Sequence, residues 1–124
     1  MSYPNDRSYT SSHEWVKVEG DVAVIGISHH AQDALGDIVH IELPAVGATF
    51  KAGTTAAEVE SVKAVSDIYA PISGTVVEVN GALDGNEGVI NSDPHGEGWM
   101  FKIKFTNAAE IAGLMDSAAY AAIA

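Results

Sequence analysis

The stretch Glu58-Val59-Glu60-Ser61-Val62-Lys63-Ala64-Val65-Ser66-Asp67 decides how the chain is read. Two strand-like runs, Ala56 to Ser61 and Val65 to Ala70, meet at a single lysine. Its neighbours are small or apolar, and the nearest charges are all acidic. Lys63 is therefore expected at a hairpin tip, with its amine projecting away from the fold where an enzyme can reach it. Flanking carboxylates keep such a turn in water and offer handles for recognition. A covalently attached, swinging cofactor needs this arrangement, because the protein supplies position and reach while the cofactor supplies the chemistry. Taken alone, the same pattern also describes an ordinary solvated turn lysine.

Upstream, Trp15 to Val18 alternates and Val22 to Ile27 is an apolar strand, with Glu19-Gly20-Asp21 as the hairpin turn between them. Ser28 is placed to cap a short helix that runs through Leu35 and stops at Gly36. Asp37 to Leu43 reads as a strand, and Pro44 to Gly47 as a turn. Downstream, Pro71 to Gly74 is a turn in which Gly74 is expected at positive φ, and Thr75 to Val79 is a strand. Asn80 to Gly88 and Asn91 to Gly98 read as loops. Trp99, Phe101, Ile103 and Phe105 are expected to share one face of the last strand. Asn107, with Glu110 three residues on, opens a helical segment over 107–124 that breaks at Gly113 and restarts at Asp116. Residues 1–10 read as an irregular lead-in. Many short strands with Gly/Pro turns, and helices only at the edges, predict a mainly β sandwich or barrel.

The 124 residues make one domain's worth of chain, able to bury roughly two-thirds of its unfolded surface. The lack of cysteine removes disulfide scaffolds, thiolate zinc sites and cysteine nucleophiles. Six basic residues against 17 acidic ones give a formal charge of −11, which repels phosphate backbones, so no nucleic-acid partner is expected. No apolar run approaches the roughly 20 residues of a membrane span, and the first residues do not read as a secretory signal. The five histidines, His13, His29, His30, His40 and His95, include no i, i+4 pair and no HExxH, so no metal site is expected. No Gly-x-Ser-x-Gly elbow supports a hydrolase.

A set of ordered motifs carries a resemblance. These are Ser12-His13-Glu14-Trp15, Ile25-Gly26-Ile27, Ala31-Gln32-Asp33, Leu35-Gly36-Asp37-Ile38-Val39, Glu42-Leu43-Pro44 and the block Val59 to Asp67. Pro71-Ile72-Ser73-Gly74, Glu78-Val79-Asn80, and Gly98-Trp99 with Lys102-Ile103-Lys104 follow. Together they resemble the glycine cleavage system H proteins, a family of lipoyl carriers, over roughly Ser12 to Lys104. The resemblance implies a hammerhead fold: a barrel-sandwich hybrid of two antiparallel sheets with flanking short helices and a C-terminal helix. It implies a single lipoyl-carrier domain over 1–124, with lipoate amide-linked to Lys63 and no catalysis by the carrier itself.

The implied partners are a pyridoxal-phosphate glycine decarboxylase, a tetrahydrofolate-dependent aminomethyltransferase and a dihydrolipoamide dehydrogenase using FAD and NAD. An enzyme that attaches the lipoyl group is the fourth. A monomer is expected, cytoplasmic in the bacterial manner, with a mature mitochondrial form left open. The family pattern makes Glu14 and Asp67 candidates to pair with the ammonium of an aminomethyl-loaded arm, and Ser12 a candidate to add a neutral hydrogen bond. Glu58 and Glu60, expected to face solvent, and Gly74 are candidates for recognition by the lipoylating enzyme. The chain departs from the family pattern at Ala34, where some members have His, at Glu87, where Pro is common, and at His95, where Tyr is common. These positions bear on arm docking and loop rigidity rather than on the lysine turn.

Two other carriers fit less well. A biotin carrier usually sets its lysine between methionines, whereas Val62 and Ala64 flank Lys63. Lipoyl domains of 2-oxo-acid dehydrogenases are usually shorter and tethered by Ala/Pro-rich linkers, which this chain lacks. A role as donor of lipoyl or octanoyl groups to other carriers stays open beside the shuttle role.

Overall fold

The computed structural model describes residues 3–124. Six antiparallel strands form the larger sheet, in the order β1 (Ser8–Tyr9), β2 (Glu14–Glu19), β3 (Val22–Ile27), β9 (Phe101–Phe105), β8 (Gly74–Val79) and β5 (Thr49–Phe50). β4 (Ile38–Glu42), β6 (Thr55–Ser61) and β7 (Val65–Tyr69) form the smaller one, in that order. The pairings leave two open sheets rather than a closed barrel, so the mainly β, two-sheet expectation holds. Four short helices flank them: α1 (His29–Leu35), α2 (Val89–Ser92), α3 (Ala108–Ala112) and α4 (Ser117–Ile123).

Two apolar clusters hold this arrangement. The main core draws Ile25, Ile27, Phe101 and Ile103 from the larger sheet and Val59 and Ile68 from the smaller one. The second cluster joins Tyr9, Trp15, Val24 and Tyr120. Because Tyr9 and α4 cover it, the larger sheet is buried on both faces at β2 and β3, and Glu14, Trp15 and Val16 are buried in succession. The Trp15 indole N–H is satisfied inside by the carbonyls of Ile27 and Pro94, both at 3.0 Å.

Several local expectations hold. The Ser28 side chain accepts from Ala31 N to cap α1, Gly36 ends it at φ 80, and Asp116 caps α4. Other elements differ for physical reasons. The lead-in is not wholly irregular, because Ser8 and Tyr9 pair with Val16 and Trp15. Tyr9 stacks on Tyr120 with ring centroids 4.6 Å apart, a contact that only the distant C-terminal helix can supply. Val89–Ser92, at the junction of two expected loops, is a helical turn anchored by the fully buried Ile90.

Trp99 does not share the face of Phe101, since it packs in the second cluster while Met100 and Phe101 both enter the main core. Asn80 causes this slip in alternation by donating to the carbonyls of Glu97 and Trp99 at 2.9 and 2.8 Å. Asn107 caps α3, but Glu110 does not return to it. Its carboxylate instead accepts from Ser73 N at 2.8 Å and Ser73 Oγ at 2.9 Å.

Gly74 has the positive φ expected of it, though at the start of a strand rather than within the turn. It is the first residue of β8, paired with Phe50 on one side and Phe105 on the other, and its φ of 159° is nearly extended. What demands glycine is close approach. A Cβ there would overlap the Lys104 carbonyl oxygen and lie 2.5 Å from Ile103 Cγ2. Gly74→Ala is therefore expected to destabilise the protein by about 1–3 kcal/mol, as overpacking against backbone does. A thermal midpoint equal to that of the parent protein would show that β9 yields at no cost.

Candidate functional site

The lysine turn is built from one side chain and one distant carbonyl. Glu60 pairs with Val65 and Ser61 ends β6, leaving Val62-Lys63-Ala64 as the connection to β7. Ser61 N donates to the Ala64 carbonyl at 2.8 Å. Ser61 Oγ accepts from Lys63 N at 3.3 Å and Ala64 N at 3.1 Å, which satisfies the backbone of a tight turn from within. Val62 N donates to the carbonyl of Asp37 at 3.0 Å. Lys63 is exposed, and its stem lies over Gly36, where a Cβ would sit 3.4 Å from Lys63 Cε. Lys17, Lys102 and Lys104 each have a carboxylate within 3.7 Å. Among the described residues Lys63 forms no such pair.

Beside this turn, α1, the segment before β2 and the free edge of β7 enclose a cleft of about 150 Å3. Ser12, His13, Ala34, Leu35, Ser66 and Asp67 line it. Two of the three candidate arm-docking residues, Ser12 and Asp67, thus come together, with the departure position Ala34 in the same wall. Glu14 does not line the cleft. Its carboxylate is buried, taking hydrogen bonds on Oε1 from Thr10 Oγ1 at 2.6 Å and Ser12 Oγ at 2.7 Å, and on Oε2 from Tyr69 N at 3.4 Å.

Glu58 and Glu60 are exposed on the outer face of the smaller sheet, as expected. The register sets Glu42, Glu58 and Asp67 side by side across three strands, and His40, Glu60 and Val65 in the neighbouring row. Gly74 lies in the other sheet, where packing accounts for it.

The structure adds residues to the cleft that no local pattern signals. His13 takes φ 74, a left-handed conformation uncommon for a residue with a side chain. Its Nδ1 lies 2.6 Å from the Tyr120 hydroxyl, which lies 2.6 Å from Ser28 Oγ. Burial, and then the neighbouring His30 ring at 4.5 Å, push the His13 imidazole below the usual histidine range. Kept neutral, it can accept from Tyr120. His13 and Tyr120 stand 107 residues apart, so only the folded chain joins them.

A second histidine supports the start of α1. His95 Nε2 accepts from His29 N at 3.2 Å, and Arg7 Nη1 donates to the His95 carbonyl at 2.6 Å. Burial first, and then the Arg7 guanidinium, push the His95 imidazole down to about 4. Among the described residues, no three His, Asp or Glu side chains are grouped to hold a metal.

The comparisons with known proteins agree with one another. The family model described as glycine cleavage H-protein matches residues 7–124. The glycine cleavage system H protein of Beutenbergia cavernae is 52% identical over 123 residues, covering 99% of this chain and 97% of that one. The protein of the same name from Acinetobacter baylyi is 52% identical over 122 residues, covering 98% of each. The crystal structure of a glycine cleavage system H protein from Mycobacterium marinum matches with a TM-score of 0.89 at 42% identity, over 97% of both chains.

The two depressed histidines set a pH dependence. A histidine whose folded pKa lies below its unfolded value takes up its proton first in the unfolded chain. His95 therefore contributes fully above its ordinary 6.5, and its contribution is lost as pH falls from there toward about 4. His95→Gln keeps an acceptor but cannot titrate. It is expected to give a shallower loss of thermal midpoint between pH 6.5 and 5, a window above most carboxylate titration. Parallel slopes for the two proteins would remove His95 from that role.

Proposed function

The chain belongs to the glycine cleavage H-protein family, and from that membership we propose that it is the lipoyl-bearing shuttle of a glycine cleavage system, with lipoate attached at Lys63. The carrier role comes with the family. The attachment site and the partner reactions are the proposal. The observation that carries it is the lysine turn, an exposed amine without an ion-pair partner among the described residues, held by Ser61 and Asp37 beside a cleft.

When bound, lipoate would supply a disulfide–dithiol pair able to take up a one-carbon unit and electrons. The chain would carry the aminomethyl group from the pyridoxal-phosphate glycine decarboxylase to the tetrahydrofolate-dependent aminomethyltransferase. It would carry electrons to dihydrolipoamide dehydrogenase with its FAD and NAD. The chain's own part is binding and protection. Ser61 fixes the turn so that Lys63 is presented outward. Ser12 and Asp67 line the cleft, where a cationic end group would find partners while the apolar wall of Ala34 and Leu35 limits water. Glu14 acts one layer behind, by orienting the Ser12 hydroxyl. Glu58 and Glu60, exposed close to the turn, are the handles for the lipoyl-attaching enzyme.

Intact mass and peptide mapping after exposure to a lipoyl-attaching enzyme test the site. Lys63→Arg is expected to retain the fold and charge, accept no lipoyl group and lose all carrier activity. Lipoylation of that variant at another lysine would overturn the assignment.

The cleft makes a separate prediction. An exposed carboxylate is worth about 0.2–1 kcal/mol to a neighbouring cation, so Asp67→Asn is expected to speed decay of the aminomethyl-loaded protein about 1.5- to 5-fold. Lipoylation and thermal midpoint are expected to stay unchanged in that variant. Glu14→Gln disturbs a buried acceptor of three donors and is expected to lower stability by about 1–3 kcal/mol. The readout is ammonia release without the transferase. Equal decay for Asp67→Asn and the parent would place the ammonium elsewhere.

A further inference from the structure

Besides its local bonds to Ser61, the lysine turn is tied to the rest of the fold by the carbonyl of Asp37, which accepts from Val62 N at 3.0 Å. Both residues flanking Asp37 are held by one side chain from another part of the chain. Asn91 Oδ1 accepts from Ile38 N at 2.9 Å, and Asn91 Nδ2 donates to the Gly36 carbonyl at 2.8 Å. The same amide nitrogen donates to Gln32 Oε1 at 3.0 Å, inside α1. Gln32 is itself buried, and its Nε2 lies 3.1 Å from His29 Nδ1. The amide oxygen and both amide hydrogens of Asn91 are thus used, on three separate groups of the corner between α1 and β4.

The anchor of this clamp is firm. Asn91 follows Ile90, which is fully buried in the main core. Gly98 packs so tightly on α2 that a Cβ there would lie 2.8 Å from the Asp93 carbonyl and 3.0 Å from Ile90 Cα. On the other side of the clamp, Gly36 lies beneath the Lys63 stem. A continuous path therefore runs from the core through Ile90 and Asn91 to the Gly36–Ile38 corner, and through Asp37 and Val62 to Lys63.

We propose that Asn91 is a positioning residue for Lys63, holding the corner that pre-orders the lysine turn for the enzyme that acylates it. This rests on the reading of Lys63 as the arm-bearing lysine. The chemistry selects asparagine. Aspartate keeps the acceptor for Ile38 but loses both donors, alanine loses all three bonds, and glutamine adds a methylene that the spacing does not hold. A hairpin tip tied only by its own local bonds frays, and an enzyme that binds it must supply the ordering. A tip tied to the core does not incur that cost on binding.

The experiment uses unmodified full-length protein and two variants, Asn91→Ala and Asn91→Asp. The first readout is site-resolved hydrogen exchange of the Val62 amide against core amides of Val59 and Ile103. The second is KM and kcat for lipoyl transfer by a lipoate–protein ligase supplied with lipoate and ATP. Asn91→Ala is expected to speed exchange at Val62 about five- to tenfold relative to the core amides, the loss of roughly one hydrogen bond. KM for the protein is expected to rise by a similar factor with kcat held. Asn91→Asp keeps the Ile38 bond but sets a carboxylate against the Gly36 carbonyl, so it is expected to speed Val62 exchange at least as much as alanine, and it is read against the same core amides if the alanine variant does not fold.

Equal acceleration at Val62, Val59 and Ile103 would reduce Asn91 to a general stabiliser and overturn the proposal. A KM unchanged despite faster exchange at Val62 would overturn it as well. Absence of transfer to the parent protein would instead refute the reading of Lys63, and the exchange comparison would then decide the positioning of the turn by itself.

Discussion

A buried carboxylate ties the two sheets together. Glu14 is only 1% exposed, and a charge in that position costs several kcal/mol unless it is hydrogen-bonded on all sides. Its three donors come from different places: Thr10 and Ser12 from the segment entering β2, and Tyr69 N from the outer strand of the smaller sheet. Satisfying one charge therefore requires that segment and the β7 edge to adopt a single arrangement. The bond to Tyr69 also covers part of an edge strand that would otherwise offer its backbone to other chains. A further consequence reaches the cleft. The Ser12 hydroxyl hydrogen goes to Glu14, so what Ser12 presents to a docked group is an acceptor, the polarity that an ammonium needs.

The C-terminal helix belongs to the same machinery although it lies far along the chain. Tyr120 stacks on Tyr9, which orders β1, and its hydroxyl stands between Ser28 and His13. A consistent set of donors runs from Ser28 to Tyr120 to a neutral His13. Burial raises the pKa of the Tyr120 hydroxyl and lowers that of the imidazole, so both shifts preserve the chain of bonds. The strained φ of His13 is a cost that the fold bears because its N–H reaches Thr10 and its carbonyl receives Ser28 N. Removing the tail would therefore loosen a wall of the cleft as well as an outer cluster.

What could be read from the sequence was whatever closes within a few residues. The β2–β3 hairpin, the Ser28 and Asp116 caps and the break at Gly113 satisfy their backbone groups locally, as Ser61 does for most of the lysine turn, and each carries a short-range signature. What could not be read depends on partners dozens of residues away. β1 exists because of Tyr120, the alternation before β9 slips because of Asn80, and Gly74 is required by the Lys104 carbonyl rather than by its own turn. Glu110 looked like half of a capping box and instead bonds Ser73. In the candidate site, Ser12, Asp67 and Ala34, which the family pattern singles out, line one cleft. The burial of Glu14 and the hydrogen bonds of His13 and Asn91 follow only from how elements pack.

Charge is segregated between the sheets, and the lysine turn lies at the boundary. Arg7, Lys17, Lys102 and Lys104 belong to the larger sheet or the residues just before it, and Lys51 follows its edge strand β5, while β4, β6 and β7 contain no lysine or arginine. Their outer face instead sets Glu42, Glu58 and Asp67 in one row, and like charges directly opposite each other in a sheet are destabilising. Beside that row His40 lies 3.9 Å from Glu42. Lys63 is the fixed cation in the turn that joins two strands of this face. Acylating its amine to an amide removes that charge and takes the formal total from −11 to −12. The turn would thus carry a cation beside carboxylates before acylation and the carboxylates without it afterwards. Because steering acts over roughly a Debye length, about 8 Å at physiological salt, one charge at the hairpin tip is enough to make those two surfaces different.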